Sequence, residues 1–299
     1  MSVLQCCYCA NATTLGATLT IADPVESHWH ANLDLSFAHA AGRTGLTSKA
    51  HQGPLQVQKA LYPEGPRVCH VTVLHPPGGI AAGDSLTVSA RLDCDSHVCL
   101  TTPGATKWYR CPSGEARQQL RFSVAAGSVL EWLPRENILF DASRVCMNLD
   151  VDLAPSAHFL GWEILCFGRR ASGEKWRRGE LQLRTSISRS RQPLWRERAN
   201  ISAGSGFAAS AVGLAGYSVS GTLICAGSDV DSLLLAACRA APHRQGDARS
   251  GVTRLPGIFL ARYLGHSSQD AFDWFAAIWK LLRPALLGAT ATAPRLWAC

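Results

Sequence analysis

Short runs that alternate apolar and polar residues recur along this chain, each closed by a glycine or proline turn, and that rhythm points to a β-rich fold. Leu33-Asp34-Leu35-Ser36-Phe37 alternates as a half-buried strand should, and so do Leu86-Thr87-Val88-Ser89, Leu120-Arg121-Phe122-Ser123-Val124 and Leu149-Asp150-Val151-Asp152-Leu153. Leu55-Gln56-Val57-Gln58 and Val71-Thr72-Val73-Leu74 read the same way. Between them lie Pro76-Pro77-Gly78-Gly79, Pro103-Gly104, Pro112-Ser113-Gly114 and Ala126-Gly127-Ser128, all turn formers. The expectation is a mainly β, single domain of stacked short strands, β-helical or sandwich-like, with two or so α-helices. No internal sequence repeat and no linker is visible.

Two segments predict helices. Ser228-Asp229-Val230-Asp231 places acids in a first turn, with Leu233, Leu234, Ala237 and Cys238 on the apolar face. Ser267-Ser268-Gln269-Asp270 opens the second, where Phe272, Phe275, Ala276 and Trp279 form a core-facing stripe and Pro284 is expected to stop the helix. Residues 242–255, rich in Arg, Gly and Ser, predict a loop.

Composition narrows the function. Hydrophobic residues make up 47% of the 299 and charged residues 17%, which supports a large core and argues against global disorder. The formal charge of +7 favours acidic partners. Yet Glu174, Glu180 and Glu197 sit among the basic groups at 169–170, 175–178 and 184–198, the pattern of a solvated or protein-docking face rather than a nucleic-acid track. The first 22 residues carry no charge and so lack the basic start of a signal peptide. The chain is therefore expected in the cytoplasm, with most of its 12 cysteines as free thiols; those at 69, 94, 99, 146, 166 and 225 lie in apolar surroundings that suit small buried groups. Residues 199–228 are uncharged but contain six glycines, which suits a buried, glycine-punctuated sheet rather than a membrane span.

Three segments could carry chemistry. In His75-Pro76-Pro77-Gly78-Gly79-Ile80-Ala81-Ala82-Gly83-Asp84-Ser85 the glycine spacing approaches a phosphate loop, but Asp84 stands where Lys is needed and would repel phosphate. Asp84 is either a cap on backbone amides or an oxygen ligand at a cavity mouth. Thr101-Thr102-Pro103-Gly104-Ala105-Thr106-Lys107 sets hydroxyls and a cation around a bend. The third segment, residues 130–141, places Glu131, Glu136 and Asp141 among large apolar groups, with Arg135 or Arg144 as expected partners; Glu163 poses the same question. Gly-x-Ser-x-Gly, His-Glu-x-x-His and paired Cys-x-x-Cys patterns are absent. Cys6-Cys7-Tyr8-Cys9 and His28-Trp29-His30 are minor candidates for a soft or borderline metal.

Taken in order, these segments resemble the urease accessory protein D (UreD, also UreH) family. The matching stretches are Gly53-Pro54-Leu55, Tyr62-Pro63-Glu64-Gly65, the turn from His75 to Asp84, Thr102-Pro103-Gly104-Ala105-Thr106-Lys107 and Glu131-Trp132-Leu133-Pro134. They continue through Ile138-Leu139-Phe140-Asp141, Gly161-Trp162-Glu163-Ile164, Pro193-Leu194-Trp195-Arg196-Glu197-Arg198, Leu282-Arg283-Pro284 and Pro294-Arg295-Leu296-Trp297. Residues 1–28 fall outside the pattern as a variable extension, leaving 29–299 as the β-rich domain. The resemblance implies a non-catalytic scaffold without a tightly bound cofactor. Such a protein works with a helical UreF-type protein and a UreG-type GTPase, docks on apo-urease, and passes transient Ni²⁺ through an internal tunnel. Asp84 and Glu197 lead as tunnel-lining groups, followed by Thr106, Glu163 and Asp141. Neither nucleic acid nor membrane is an expected partner. The competing reading is a β-rich metal-dependent hydrolase with Asp84, Asp141 and His75 or His158 as ligands.

Overall fold

The computed structural model describes residues 28–242 and 246–298; the Cys6, Cys7 and Cys9 cluster lies outside them. Strands β1 (His30–Ala40) and β2 (Arg43–Gln52) form a hairpin. Its two-residue turn, Ala41-Gly42, has positive φ at both positions, which matches the twist of the flanking strands. After the short β3 (Gln56–Val57) the chain winds into coils. The first coil is β4 (Val68–Leu74), β5 (Gly79–Ile80) and β6 (Ser85–Leu92). The second is β7 (His97–Thr101), β8 (Thr106–Trp108) and β9 (Ala116–Val124), and the third is β10 (Val129–Leu133), β11 (Asn137–Leu139) and β12 (Ser143–Leu153). In the fourth, β13 (His158–Phe167) pairs with both β10 and β11, and β14 (Gly179–Arg189) completes the turn.

Equivalent strands of successive coils pair in parallel, so Val68, His97, Val129 and His158 stand in register. On the other side Val88, Leu120, Leu149 and Thr185 do the same. What repeats is the inward-facing apolar position, not the residue, which is why the repeat is invisible in the sequence. The coils close with antiparallel additions: β15 (Gln192–Ser202) on β14, then the short α1 (Gly206–Ala209) and β16 (Val219–Ala226) on β13. Helix α2 (Ser232–Arg239), the hairpin β17 (Arg249–Leu255) and β18 (Ile258–Gly265), and α3 (Ser268–Leu287) follow.

Two sheets result. The first runs β15-β14-β12-β9-β6-β1-β2, and the second has the path β17-β18-β16-β13-β10-β7-β4-β3, with β5, β8 and β11 beside it. Alternation along each strand sends one face into the space between the sheets, where Phe37, Phe122 and Phe159 are almost wholly buried. Each such side chain contributes roughly 1.5–3 kcal/mol. The outer face of the second sheet packs under α2 and α3, with Trp162 edge-on to Phe272 at 5.7 Å between ring centroids. The order is sheet, sheet, helices. Successive residues of β13 therefore point to opposite faces: Gly161, Glu163 and Leu165 lie toward the first sheet while Leu160, Trp162 and Ile164 face the helices.

Several local expectations need correction. Helix α2 begins only after Asp231, whose carboxylate accepts the Leu234 N–H at 2.7 Å. Of the expected apolar face, Cys238 is buried and Leu234 and Ala237 are partly buried, but Leu233 is 80% exposed and Leu235 is buried in its place. Helix α3 starts as expected, with the Ser267 hydroxyl accepting from Asp270 N–H, but Pro284 does not end it. Pro284 lies on the solvent side, where the carbonyl that loses its partner meets water, and the helix runs on to Leu287 before Gly288 caps it at φ +64°. The segment expected to be a loop contains β17, stitched to β18 along its length. The uncharged residues 199–228 divide among the end of β15, α1 and β16, and no helix among the described residues is long and apolar enough to cross a membrane. Cys69, Cys99 and Cys225 are buried free thiols, Cys146 and Cys166 are partly buried, and Cys94 is exposed.

Candidate functional site: an inter-sheet cavity

The site begins with residues that sequence reasoning grouped and the fold separates. Asp84, at the turn into β6, is 3% exposed. One of its oxygens accepts the Trp29 backbone N–H at 2.8 Å and the other accepts Ala81 N–H at 2.8 Å. It pins the entry of β1 against the first coil, with both oxygens used by backbone. The turn needs Gly83, whose φ is +83° and where any Cβ would strike the His28 ring. Asp141 is likewise taken: it accepts backbone N–H groups of Arg177 and Arg178 at 2.8 and 2.9 Å and the Arg178 guanidinium at 2.8 Å. Desolvation works against its charge, but these hydrogen bonds prevail and hold the carboxyl at about 2. His75 is partly buried, which lowers its pKa against the opposing pull of Asp84, and His158 meets the Ser228 hydroxyl at 2.8 Å. Asp84, Asp141 and these histidines do not converge; among the described residues no three His, Cys, Asp or Glu side chains are placed to hold a metal ion.

Glu131 has different partners from those expected. Arg135 pairs with Glu136 at 3.6 Å and Arg144 with Glu180 at 3.2 Å. Glu131 points instead from β10 toward α3, fully buried, where it accepts from His97 at 2.7 Å, Trp279 at 2.6 Å and Arg283 at 3.1 Å. Arg283 also reaches Glu64 at 2.8 Å, and Glu64 holds His70 at 2.5 Å. This network ties the C-terminal helix to the coil, and no local signal in the sequence announces a pairing across 152 positions.

The remaining candidates converge. Between the sheets, toward the fourth coil, lies a cavity of about 430 Å³. It forms where the apolar ladders give way to polar groups: Val88, Leu120 and Leu149 are followed in register by Thr185 and then Glu197 on β15. On the opposite sheet Glu163, Thr222 and Arg262 stand in register on β13, β16 and β18. Arg262 spans the gap, donating to Glu197 at 2.8 Å and to the Thr222 hydroxyl at 3.3 Å. Thr106 and Asn137, partners across β8 and β11, add oxygen atoms to the wall, and Asn137 is held by Trp108 Nε1 at 3.0 Å. Phe207 and Leu214, from the segment after β15, close over one side.

The electrostatics of Glu163 single it out. Burial raises its pKa, the Glu197 carboxylate raises it further, and Arg262 only partly opposes them, so it is pushed up to about 7. A carboxyl at that value exchanges its proton readily at neutral pH. The lining offers carboxylate, hydroxyl and amide oxygen, beside the guanidinium groups of Arg135, Arg184 and Arg262, and no thiolate or imidazole. Such a donor set holds a divalent cation loosely. Thus Thr106, Glu163 and Glu197 line the cavity, whereas Asp84 and Asp141 do not. Arg262 was missed by sequence reasoning; its alternation with Leu260 and Leu264 on β18 marked it as inward-facing, but only the second sheet shows what it faces.

Comparison with known proteins identifies relatives across the chain. The model of the UreD urease accessory protein family matches residues 30–298. The urease accessory protein UreD of Dechloromonas aromatica is 48% identical over 283 residues, covering 93% of this chain and 98% of that one. UreD of Methylobacillus flagellatus is 48% identical over 272 residues, covering 91% and 95%. UreD of Pseudomonas fluorescens strain Pf-5 is 44% identical over 269 residues, covering 90% and 95%. With the match running across the coil, both sheets and the helical layer, the chain belongs to the UreD family of urease accessory proteins.

Proposed function

We propose that this chain serves urease maturation in the cytoplasm as a non-catalytic scaffold, docking a UreF-type helical protein and a UreG-type GTPase onto apo-urease, and that nickel crosses it through the inter-sheet cavity. The observation that carries the reading is the pair of facing carboxylates, Glu163 and Glu197, on opposite walls of a cavity whose lining is otherwise hydroxyls, amides, apolar groups and the guanidinium groups of Arg135, Arg184 and Arg262. A passage for Ni²⁺, here the cargo, needs oxygen ligands that bind and release, and a site built of thiolates or imidazoles would trap the ion. Thr106 provides a further oxygen on the wall. Asp84 and Asp141, whose oxygens are occupied by backbone and arginine donors, support the walls instead of contacting nickel. The hydrolase reading is not favoured, because its ligands do not meet.

The test is urease activation in cells expressing the cognate urease and accessory proteins with either the wild-type chain or Glu163→Gln with Glu197→Gln. The double variant is expected to assemble with its partners yet leave urease folded and nickel-poor, measured as metal per urease active site. Full nickel loading by the double variant would sink the cavity route.

A further inference from the structure

We propose that Arg262 is a resident cation at the cavity mouth, and that an incoming ion must displace it from Glu197, which makes the passage selective for divalent over monovalent cations. The inference rests on the proposed nickel passage and deepens it.

Three observations support it. First, Arg262 and Glu197 belong to different sheets, and their 2.8 Å contact crosses the gap that an ion entering between β15 and β18 would use. Second, the pair is half open to water: the Arg262 side chain is 47% exposed and that of Glu197 29%. An ion pair this wet is worth at most about 1 kcal/mol, so it can open without unfolding anything. Third, the row behind it leads inward. Arg262 also holds Thr222, and Thr222 is the register partner of Glu163, the second carboxylate. Moving the guanidinium aside exposes both carboxylates together.

The selectivity follows from charge. A tethered guanidinium competes for Glu197 at a high effective concentration and with one positive charge. A monovalent ion brings no more charge than the group it would replace. A divalent ion gains about twice the Coulomb attraction from each carboxylate and can replace it. Once displaced, Arg262 swings toward solvent on its flexible stem and can return when the ion moves on, which keeps residence short.

The full chain, co-purified with its accessory partners, is compared as wild type, Arg262→Met, and Arg262→Met combined with Glu163→Gln and Glu197→Gln. Ni²⁺ uptake is measured by equilibrium dialysis in potassium chloride and, at the same ionic strength, in the chloride of a bulky organic cation. Thermal unfolding checks that each variant is folded. Wild type is expected to bind weakly and equally in both salts. Arg262→Met is expected to bind about tenfold more tightly in the organic salt, to lose most of that gain in potassium, and to lose all of it without the two carboxylates. An unchanged affinity in folded Arg262→Met, or a gain that potassium does not reduce, would overturn the proposal and leave Arg262 a structural tie between the sheets. A gain that survives loss of both carboxylates would place the ion elsewhere and bring down the cavity route itself, a different failure from that of Arg262.

Discussion

The molecule contains the same chemical trio twice, two glutamates and one arginine, in opposite settings. Under α3, Glu64, Glu131 and Arg283 are sealed, with Glu131 and Arg283 at 0% exposure. In the inter-sheet cavity Glu163 is partly buried, and the Glu197 and Arg262 pair meets water. The titration of the key carboxyl differs accordingly. Burial alone would raise Glu131, but hydrogen bonds from His97 and Trp279 and the charge of Arg283 bring it down to about 2. Burial raises Glu163 as well, and among the described residues no hydrogen bond brings it down, so it stays at about 7. Donors per carboxylate, not burial, separate a structural lock from a group free to bind something else.

The contrast can be broken most forcefully at Arg283. Arg283→Met takes the guanidinium from two buried carboxylates, Glu64 and Glu131, and is expected to cost about 3–5 kcal/mol, read as a large fall in the denaturant midpoint or in soluble yield. The corresponding Arg262→Met change should leave stability within about 1 kcal/mol. Comparable losses at the two arginines would erase the distinction between lock and passage.

A third carboxylate sharpens it. Asp84 gives both oxygens to backbone N–H groups, so Asp84→Ala removes two part-buried, charge-assisted hydrogen bonds and is expected to cost about 1–3 kcal/mol. If instead it keeps full stability in chemical denaturation and lowers only nickel delivery, Asp84 belongs to the passage after all.

The smallest effect has the clearest sign. Glu163 titrates higher folded than unfolded, so its charge penalises the folded state above about pH 7, and the penalty disappears below its ordinary value near 4.5. Glu163→Gln should therefore stabilise the chain by about 1–2 kcal/mol at pH 8 and by nothing at pH 4. Glu131 has the reverse sign: its contribution is present above 4.5 and is lost as pH falls toward about 2. Thermal melts of Glu163→Gln and wild type across this range check both; a variant less stable than wild type at pH 8 would contradict the unpaired state of Glu163.

Much of the fold was legible. Alternation in Leu33–Phe37, Leu120–Val124 and Leu149–Leu153 marked strands of the first sheet, because one face of each meets the core and the other meets water. β4 and β7 are buried along almost their whole lengths, so periodicity does not define their faces. Of the candidate site, Glu163, Glu197 and Thr106 reached the cavity, while Asp84 and Asp141 looked equivalent to them in sequence. A carboxylate beside a glycine turn reads the same whether its oxygens meet backbone amides or a cavity.

The sequence by itself determined the β-rich class, the start of α3 at Ser267, the glycine turns and the family, since these depend on local dihedral preferences, strand periodicity and ordered short motifs. Only the tertiary structure decided that the strands coil, that Glu131 belongs with Arg283, and that Glu163, Glu197 and Arg262 meet. Those relations join residues far apart in the chain, and they exist because parallel coil stacking and antiparallel closure bring distant strands into register and face one sheet with the other.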